Sequence, residues 1–284
     1  MSASRGRVAA EVAVVGGIVL VLAGLVLPAV MKARDTAARS RCSNNLKLLG
    51  LSLHNYADTL PVSRDGRSEP AFPAGTIAAP GRPPERRLSW VVGLVPFLES
   101  SNVYQQFDLT APADAPVNRT AGDNRFVYFV CSASPDVDGD NRPTAPVLYY
   151  VGFAGIGPDA ASLPTGDPRA GVFGYDRRTC FAGVADGLSN TVALIEISRD
   201  PGRWAVGGPG TIRGLDAAEA PYVGPGRPFG ELHVIERVPF GVGRCAAPVG
   251  MADGSVRLLN GRTPTAIVEA LATVAGGDAV PVDW

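Results

Sequence analysis

Residues 12–31 read VAVVGGIVLVLAGLVLPAVM and contain no charged side chain. A helix rises about 1.5 Å per residue, so a run of this length covers roughly 30 Å, the thickness of a bilayer's hydrocarbon core. Pro28 lies inside the run and predicts a bend rather than an end of the helix. The sequence therefore predicts a membrane-spanning helix at the N-terminus.

A secretory signal peptide is the competing interpretation of this segment. Such a peptide has an apolar region of about 7 to 15 residues that ends in a small-residue cleavage site. The run here is longer and leads through Met31 directly into Lys32. We therefore expect a retained transmembrane helix over 7–31, after a leader at 1–6.

The helical pattern continues beyond the apolar run. Residues at spacings of four and three fall on one stripe of a helix; they are Ala38, Cys42, Leu46, Leu49, Leu53 and Tyr56. This pattern predicts an amphipathic helix over 32–58 whose apolar stripe packs on the rest of the chain. A coiled-coil seam is the alternative, but Gly50 and the small number of repeats disfavour it.

The remaining residues, 59–284, are predicted to form one globular domain. With 284 residues, 46% hydrophobic and 19% charged, the chain can hold a membrane helix and a domain with its own core. The net charge of −1 and the isoelectric point near 6.1 give no field that would recruit nucleic acid. We therefore expect no nucleic-acid partner.

Short apolar segments predict an antiparallel sheet, and hence an α+β fold in which the long helix packs on that sheet. The segments are 126–131, 147–153, 192–197 and 255–259. Turn chemistry precedes two of them at Asp186-Gly187 and Asp253-Gly254. A last helix is predicted from Thr263 as N-cap to Gly276 as its stop. The Pro- and Gly-rich stretches 62–87 and 199–237 are predicted to be surface loops.

Candidate catalytic groups are few. The chain has two histidines, His54 on the long helix and His233 in a predicted loop, and no pattern joins either to a nucleophile. We interpret His54 as a polar helix residue. The sequence predicts a protein that is not an enzyme and needs no cofactor.

One acidic run is a candidate for calcium. Asp136, Asp138 and Asp140 supply the clustered oxygens that a hard cation prefers. The run departs from the EF-hand pattern, because Val147 stands where the bidentate glutamate belongs. An acidic turn is therefore the favoured interpretation, and no other metal site is expected, since the cysteines form no CxxC pair.

The first residues resemble the leader of type IV prepilins and pseudopilins. Gly6 precedes the apolar run, and Glu11 is the fifth residue after Gly6. The resemblance implies cleavage between Gly6 and Arg7 by a prepilin peptidase, methylation of the new N-terminus, and pairing of Glu11 with a neighbouring subunit. Arg7 stands where the family has phenylalanine. A carboxylate that reaches interfacial water is the alternative interpretation of Glu11.

Further motifs resemble the planctomycete-type prepilin-like family known as domain of unknown function 1559. They occur in the family's order along nearly the whole chain: Ala33-Arg34-Asp35, Arg41-Cys42-Ser43-Asn44-Asn45-Leu46-Lys47, Leu53-His54-Asn55-Tyr56, Leu88-Ser89-Trp90, Pro96-Phe97-Leu98-Glu99, Tyr150-Val151-Gly152, Gly171-Val172-Phe173-Gly174, Asp186-Gly187-Leu188-Ser189-Asn190-Thr191, Ala252-Asp253-Gly254-Ser255-Val256 and Leu271-Ala272-Thr273. The family's histidine ten positions before the last Asp-Gly is Gly243 here, and the nearest histidine is His233.

Two signals disagree about orientation. The basic residues after the apolar run, Lys32, Arg34, Arg39 and Arg41, outnumber those before it and favour a cytoplasmic domain. The leader resemblance implies the opposite orientation. Because the resemblance spans most of the chain, we expect a single-pass protein of the cytoplasmic membrane with its domain outside the cytoplasm.

The four cysteines are predicted to pair as Cys42 with Cys131 and Cys180 with Cys245, with buried free thiols as the alternative. The predicted function is that of a pseudopilin-like subunit of a type II secretion or type IV pilus-like assembly, whose partners are membrane lipid, a prepilin peptidase and other pilin-like subunits. The alternative is an anchored module that binds a solute or polysaccharide between the two predicted loops. Trp90, Trp204 and Tyr222 would be its aromatic platforms.

Overall fold

The N-terminal element is one long helix, α1, which runs over Ser2–Thr59. It belongs to a computed structural model that describes residues 2–64, 66–236 and 244–277. The helix is long and apolar enough to cross a membrane, with a mean hydropathy of 2.6 in its most apolar window, and none of that window is buried. Val14, Leu20 and Leu25 are each more than half exposed. The predicted apolar helix is confirmed in length and composition.

The rest of the described chain forms short helices and strands. After α1, the helices are α2 (Trp90–Leu94), α3 (Ser101–Tyr104), α4 (Pro116–Ala121) and α5 (Thr265–Ala270). The strands are β1 (Val62–Arg64), β2 (Arg67–Glu69), β3 (Val147–Leu148), β4 (Tyr150–Ile156), β5 (Val192–Glu196), β6 (Gly202–Arg203), β7 (Ile212–Leu215), β8 (His233–Glu236), β9 (Arg244–Met251) and β10 (Val256–Asn260).

The main sheet has the strand order β10-β9-β5-β4-β7. Its pairs are antiparallel except for β4 with β7, which are parallel. Strand β8 pairs with the beginning of β9, while β5 pairs with the end of β9. At the end of β5, Ile195 pairs with Val249, and at the start of β8, His233 pairs with Ala246. These two ends therefore both lie beside the middle of β9. The α+β class with a helix on a largely antiparallel sheet is confirmed.

The outer half of α1 packs on this sheet. Cys42, Leu46, Leu49 and Leu53 are buried, as the apolar stripe predicts, and the helix contacts β8, β9 and β10. The two approach closely at Gly50, where a Cβ atom would lie 3.2 Å from the Cα of Gly254. The stripe is therefore the face that joins the helix to the domain.

A polar contact accompanies this packing. Nε2 of His54 lies 3.0 Å from the carbonyl oxygen of Ala252, in the turn between β9 and β10. The His54 ring also makes an edge contact with Phe181 at 5.0 Å. His54 is thus half-buried and fixed to the turn, rather than a solvated helix side chain.

The prediction that three aromatic residues form platforms for a bound ligand is wrong. Trp90, Trp204 and Tyr222 are all buried. The indole of Trp90 donates to the carbonyl of Thr211 at 3.0 Å, and that of Trp204 donates to the carbonyl of Asn124 at 2.8 Å. The hydroxyl of Tyr222 donates to Glu269 at 2.7 Å. Their polar atoms are satisfied inside the protein, so these rings stabilise the core.

Several predicted elements differ from the observed ones. The segment 126–131 forms a 3₁₀ turn at Val127–Phe129 rather than a strand, because Phe126 and Phe129 pack on Trp204 instead of on a neighbouring strand. The stretch 62–87 begins with the hairpin β1–β2. The stretch 199–237 contains β6, β7 and β8, and its last residue, Arg237, lies outside the described residues.

The last helix is also shorter than predicted. It begins at Thr265, with Pro264 in the N-cap position, and ends at Ala270. Beyond it, the backbone bonds to other segments: Leu271 accepts from the N–H of Val192, and the N–H of Val274 donates to Ala170. These tertiary hydrogen bonds replace the helical ones that the sequence pattern predicted.

Candidate functional site

Four buried side chains meet where α1 crosses the main sheet. They are Cys42, Cys131, Glu196 and His233, and their candidate ligand atoms all lie within 4.8 Å of one another. Among the described residues, this is the one group of three or more cysteine, histidine or acidic side chains close enough to share a metal ion. We call it the Cys-Glu-His cluster.

The fold brings each member from a different segment. Cys42 lies on the buried stripe of α1, and Cys131 follows the 3₁₀ turn Val127–Phe129. Glu196 is the last residue of β5, and the residue before it, Ile195, pairs with Val249 of β9. His233 is the first residue of β8 and pairs with Ala246, also of β9. Strand β9 therefore places Glu196 and His233 beside each other.

The distances in the cluster are short. The two Sγ atoms of Cys42 and Cys131 lie 2.9 Å apart, and Nε2 of His233 lies 3.4 Å from Sγ of Cys131. The same nitrogen is 3.3 Å from Oε2 and 3.1 Å from Oε1 of Glu196. The sulfur, nitrogen and carboxylate oxygen atoms thus point to a common centre.

Burial and mutual contact shift the pKa of each member. The hydrogen bond from Cys131 lowers the pKa of the Cys42 thiol to about 4, against an opposing effect of burial. Burial raises the pKa of Cys131, and the neighbouring Cys42 and Glu196 raise it further. The contact between the two thiols thus shifts their pKa values in opposite directions.

The acid and the base shift as well. Burial raises the pKa of Glu196 to about 7, although the hydrogen bond from His233 partly offsets it. Burial by itself would lower the pKa of His233, but its bonds to Cys42 and Glu196 outweigh that effect and raise this pKa to about 10. Both shifts favour the protonated forms of Glu196 and His233, because anionic groups share a site without water.

Hydrogen bonds connect the two segments that carry Cys42 and Cys131. The side-chain amide of Asn45, on α1 near Cys42, donates to the carbonyls of Val127 and Val130 at 3.3 and 3.4 Å and to the hydroxyl of Tyr150 at 3.3 Å. The backbone N–H of Ala133 donates to Sγ of Cys131 at 3.4 Å. These contacts hold the segment that carries Cys131 against α1.

The other predicted cysteine pair is placed differently. Cys180 is a buried free thiol whose pKa is raised by burial and by its hydrogen bond to Glu69. Cys245 lies on β9 opposite Val234. In the described chain neither predicted pair is covalently joined, although the sulfurs of Cys42 and Cys131 are in contact. Both pairings stay predictions.

The calcium candidate forms an acidic turn. Oδ1 of Asp138 accepts the backbone N–H groups of Asp140 and Arg142, at 2.9 and 2.8 Å. Asp140 forms an exposed ion pair with Arg142, and Asp136 accepts the hydroxyl of Tyr149 at 2.7 Å. Each carboxylate thus has a partner of its own, which agrees with the interpretation as a turn.

The predicted leader residues lie at the beginning of α1. Gly6, Arg7 and Glu11 are helical, and the positions of their side chains lie outside what the structure describes. Gly243, where the family has histidine, also lies outside the described residues. Cleavage, methylation and the pairing of Glu11 therefore stay predictions.

Sequence reasoning missed Glu196 and His233 as site residues. Glu196 ends an apolar strand, VALIE, and a carboxylate at the end of such a strand was the available signal. His233 lies in a stretch that the sequence predicted to be a loop. Both residues are separated from Cys42 by most of the chain, so only the sheet register brings the set together.

Comparison with known families gives one match. The profile of the family described as "Protein of unknown function (DUF1559)" matches residues 31–226. The match includes Cys42, Cys131 and Glu196 and ends before His233. Neither the comparison with curated proteins nor that with solved structures gave a match.

Proposed function

The chain belongs to the DUF1559 family, and from this membership and the division of its first helix we propose that it is a pseudopilin-like subunit of the cell envelope. In this proposal the apolar half of α1 lies in the cytoplasmic membrane and the domain lies outside the cytoplasm. The subunit has a structural role in a type II secretion or type IV pilus-like assembly, and no catalytic activity is assigned to it.

The observation that carries the proposal is the change of environment along one continuous helix. The apolar residues of the first half, such as Leu20 and Leu25, have no protein around them, whereas Leu46 and Leu49 in the second half are fully buried on the sheet. Exposed apolar surface on this scale is unfavourable in water and favourable in lipid. A helix built in this way anchors a domain at a membrane surface.

Subunit contacts would form within the membrane. A Cβ atom added at Gly16, Gly17 or Gly24 would meet nothing within 4 Å, so these positions leave room for a second helix. Small residues permit close helix packing in lipid, where van der Waals contact drives association. Glu11 would pair with the N-terminus of a neighbouring subunit, since an acid beside lipid needs a partner.

Glu11→Gln tests this assembly. We expect in-membrane crosslinking of the full chain to fall at least about tenfold, because losing a buried charge pair costs more than about 1.4 kcal/mol. Asp58→Asn, an exposed acid at the other end of α1, is the matched control and should crosslink like the wild type. N-terminal sequencing of the membrane-bound protein should give Arg7 as the first residue. If the Glu11→Gln variant crosslinks as efficiently as the wild type, the proposal is contradicted.

An anchored binding module is the second candidate, and one cavity favours it. The cavity, of about 420 Å³, is lined mainly by apolar and aromatic side chains, including Tyr56, Phe97 and Tyr104, and by the charged Arg178. Ligand sites in proteins have volumes of about 300 to 1,000 Å³ and similar linings. For this function, Glu11→Gln would have no effect beyond anchoring, so the same experiment separates the two candidates.

A further inference from the structure

We infer that Cys42, Cys131, Glu196 and His233 form a closed, four-ligand site for a zinc ion that fastens the membrane helix to the sheet. The inference rests on the convergence of ligand atoms in the Cys-Glu-His cluster. It is independent of the proposed assembly, because a zinc site would serve an anchored domain of any function.

The separations suit a tetrahedral ion. Zinc binds thiolate sulfur at about 2.3 Å and imidazole nitrogen at about 2.0 to 2.1 Å, which places neighbouring ligand atoms roughly 3.3 to 3.8 Å apart. The separations from Nε2 of His233 to Sγ of Cys131 and to the two Glu196 oxygens are 3.4, 3.3 and 3.1 Å. The sulfur–sulfur distance of 2.9 Å reaches this range when the two side chains move apart by about 1 Å.

Hydrogen bonding alone does not account for the arrangement. Nε2 of His233 faces Sγ of Cys131 and both carboxylate oxygens of Glu196, yet one N–H donates well to only one of them. Oε1 of Glu196 is buried and, within the described chain, makes no hydrogen bond of good geometry, although Nε2 of His233 lies 3.1 Å away as an ion-pair partner. A buried carboxylate oxygen that shares one imidazole N–H with a second oxygen and a sulfur is incompletely satisfied, so a cation suits this position.

The burial of the four groups indicates a cation. Glu196 and His233 are each 1% exposed, and both cysteines are fully buried. Two thiolates and a carboxylate would be strongly unfavourable together in this environment, and a divalent ion offsets most of that charge. Among the described residues, no lysine or arginine forms a hydrogen bond or ion pair with Glu196 that could do the same.

The ligand types select the metal and its role. Thiolate and imidazole ligands favour zinc over calcium or magnesium, which prefer oxygen. Four protein ligands and no access to solvent are the features of a structural site rather than a catalytic one. The ion would join α1 to the segment after Phe129 and to strands β5 and β8, which are distant in sequence.

The alternative to zinc ligation by these two sulfur atoms is the disulfide predicted between Cys42 and Cys131. A disulfide would use both cysteines and leave Glu196 and His233 buried with only each other. A zinc site uses all four side chains, including the oxygen without a hydrogen bond. For this reason the geometry favours the metal.

The test is metal analysis of the full chain purified in detergent from membranes without any thiol-blocking reagent, with a parallel sample thiol-blocked at lysis for the disulfide assay. We expect about one zinc per chain and no Cys42–Cys131 disulfide by mass spectrometry. Chain stripped of metal and then reduced should take up one Co²⁺ per chain, with a thiolate-to-cobalt charge-transfer band. That band reports thiolate ligation directly and needs no activity assay.

Variants identify the ligands. We expect zinc affinity to fall at least about tenfold in each of Cys131→Ser, Glu196→Gln and His233→Gln. Even residues that only hydrogen-bond to metal ligands change metal affinity by about 10- to 100-fold when they are mutated. Cys180→Ser removes a buried thiol outside the cluster and should bind zinc like the wild type. Because a ligand variant could unfold, the wild-type measurement decides the question on its own.

Two results would overturn the inference. One is a Cys42–Cys131 disulfide in the thiol-blocked chain isolated from membranes. The other is a reduced, folded wild-type chain that binds neither Zn²⁺ nor Co²⁺ at a one-to-one ratio. Neither result would bear on Glu11 or on crosslinking, so the zinc site and the proposed function fail separately.

Discussion

At the scale of single residues, Arg177 organises the loops beside the sheet. Its guanidinium donates to the carbonyls of Ala160, Leu163, Ala154 and Gly171 at 3.2, 2.6, 3.0 and 3.1 Å, and also to that of Phe173. Burial lowers the pKa of Arg177 to about 10, although the charge of Asp167 opposes the shift. The side chain thus joins three segments of the chain, at 154, 160–163 and 171–173, through their carbonyls.

Arg177→Met should lower the free energy of unfolding by about 3 kcal/mol or more, because several buried carbonyls lose a charged donor at once. Arg177→Lys should recover only part of this loss, since an ammonium group lacks the planar set of donors. Urea denaturation of the detergent-solubilised chain, followed by tryptophan fluorescence, measures both effects.

Arg262→Met is the matched control for this change. Arg262 is exposed, and an exposed substitution should alter the unfolding free energy by no more than about 0.5 kcal/mol. Equal stability of Arg177→Met and Arg262→Met would show that the carbonyls around Arg177 find other donors.

At the scale of elements, the contact between α1 and the β9–β10 turn depends on two glycines. Gly254 has φ +84°, a conformation that side chains rarely adopt, and it follows Asp253, whose carboxylate accepts the N–H of Ser255 at 2.8 Å. The backbone of this turn lies against Gly50 of α1, so a side chain at Gly50 has no space.

Gly50→Leu should lower the free energy of unfolding by about 1 to 3 kcal/mol, because overpacking at this contact pushes α1 away from the turn. Gly24→Leu, on the same helix, is the control, since a Cβ there meets nothing within 4 Å. Urea denaturation should separate the two variants. If bundling uses the small residues of the membrane half, Gly24→Leu should instead reduce crosslinking. Unfolding curves that coincide for Gly50→Leu and the wild type would contradict the observed approach.

At the scale of the whole molecule, one helix joins two environments. Its first half has the exposed apolar surface that lipid stabilises, and its second half is part of the domain core. Exposed leucines occur in both halves: Leu22 and Leu25 in the first, Leu48 and Leu51 in the second. Only those in the first half are predicted to lie in lipid.

Leu22→Asp combined with Leu25→Asp should release the chain from membranes or prevent its insertion, because each acid at the centre of a spanning helix costs about 2.5 to 3.5 kcal/mol. Leu48→Asp combined with Leu51→Asp adds the same charges to the second half and should leave the chain in the membrane fraction. Sedimentation after a carbonate wash is the measurement. Retention of the Leu22/Leu25 variant in washed membranes would rule out lipid as the environment of this half.

Much of the element pattern could be predicted from local sequence. The stripe through Cys42, Leu46, Leu49 and Leu53 is buried because helical spacing alone places these residues on one face. Strand β9 was missed, since its sequence RCAAPVGM has few β-branched residues and contains Pro248. Pro248 pairs with Leu258 of β10, and along the other edge of β9 it lies between the part that pairs with β8 and the part that pairs with β5.

The site depended on contacts that the sequence does not encode locally. A cysteine on an apolar stripe, a cysteine after an aromatic segment and an acid at a strand end are each unremarkable alone. They share a site because β9 aligns the end of β5 with the start of β8, and α1 crosses at that point.

The sequence by itself determined the membrane-length helix, the face it buries and the family of the chain. Hydropathy and helical periodicity act between residues a few positions apart, so they can be read directly along the chain. Only the tertiary structure decided that Trp90, Trp204 and Tyr222 are core residues, and that Glu196 and His233 meet Cys42 and Cys131. The physical reason is that burial and ligand geometry are set by strand register and packing between residues far apart in the chain.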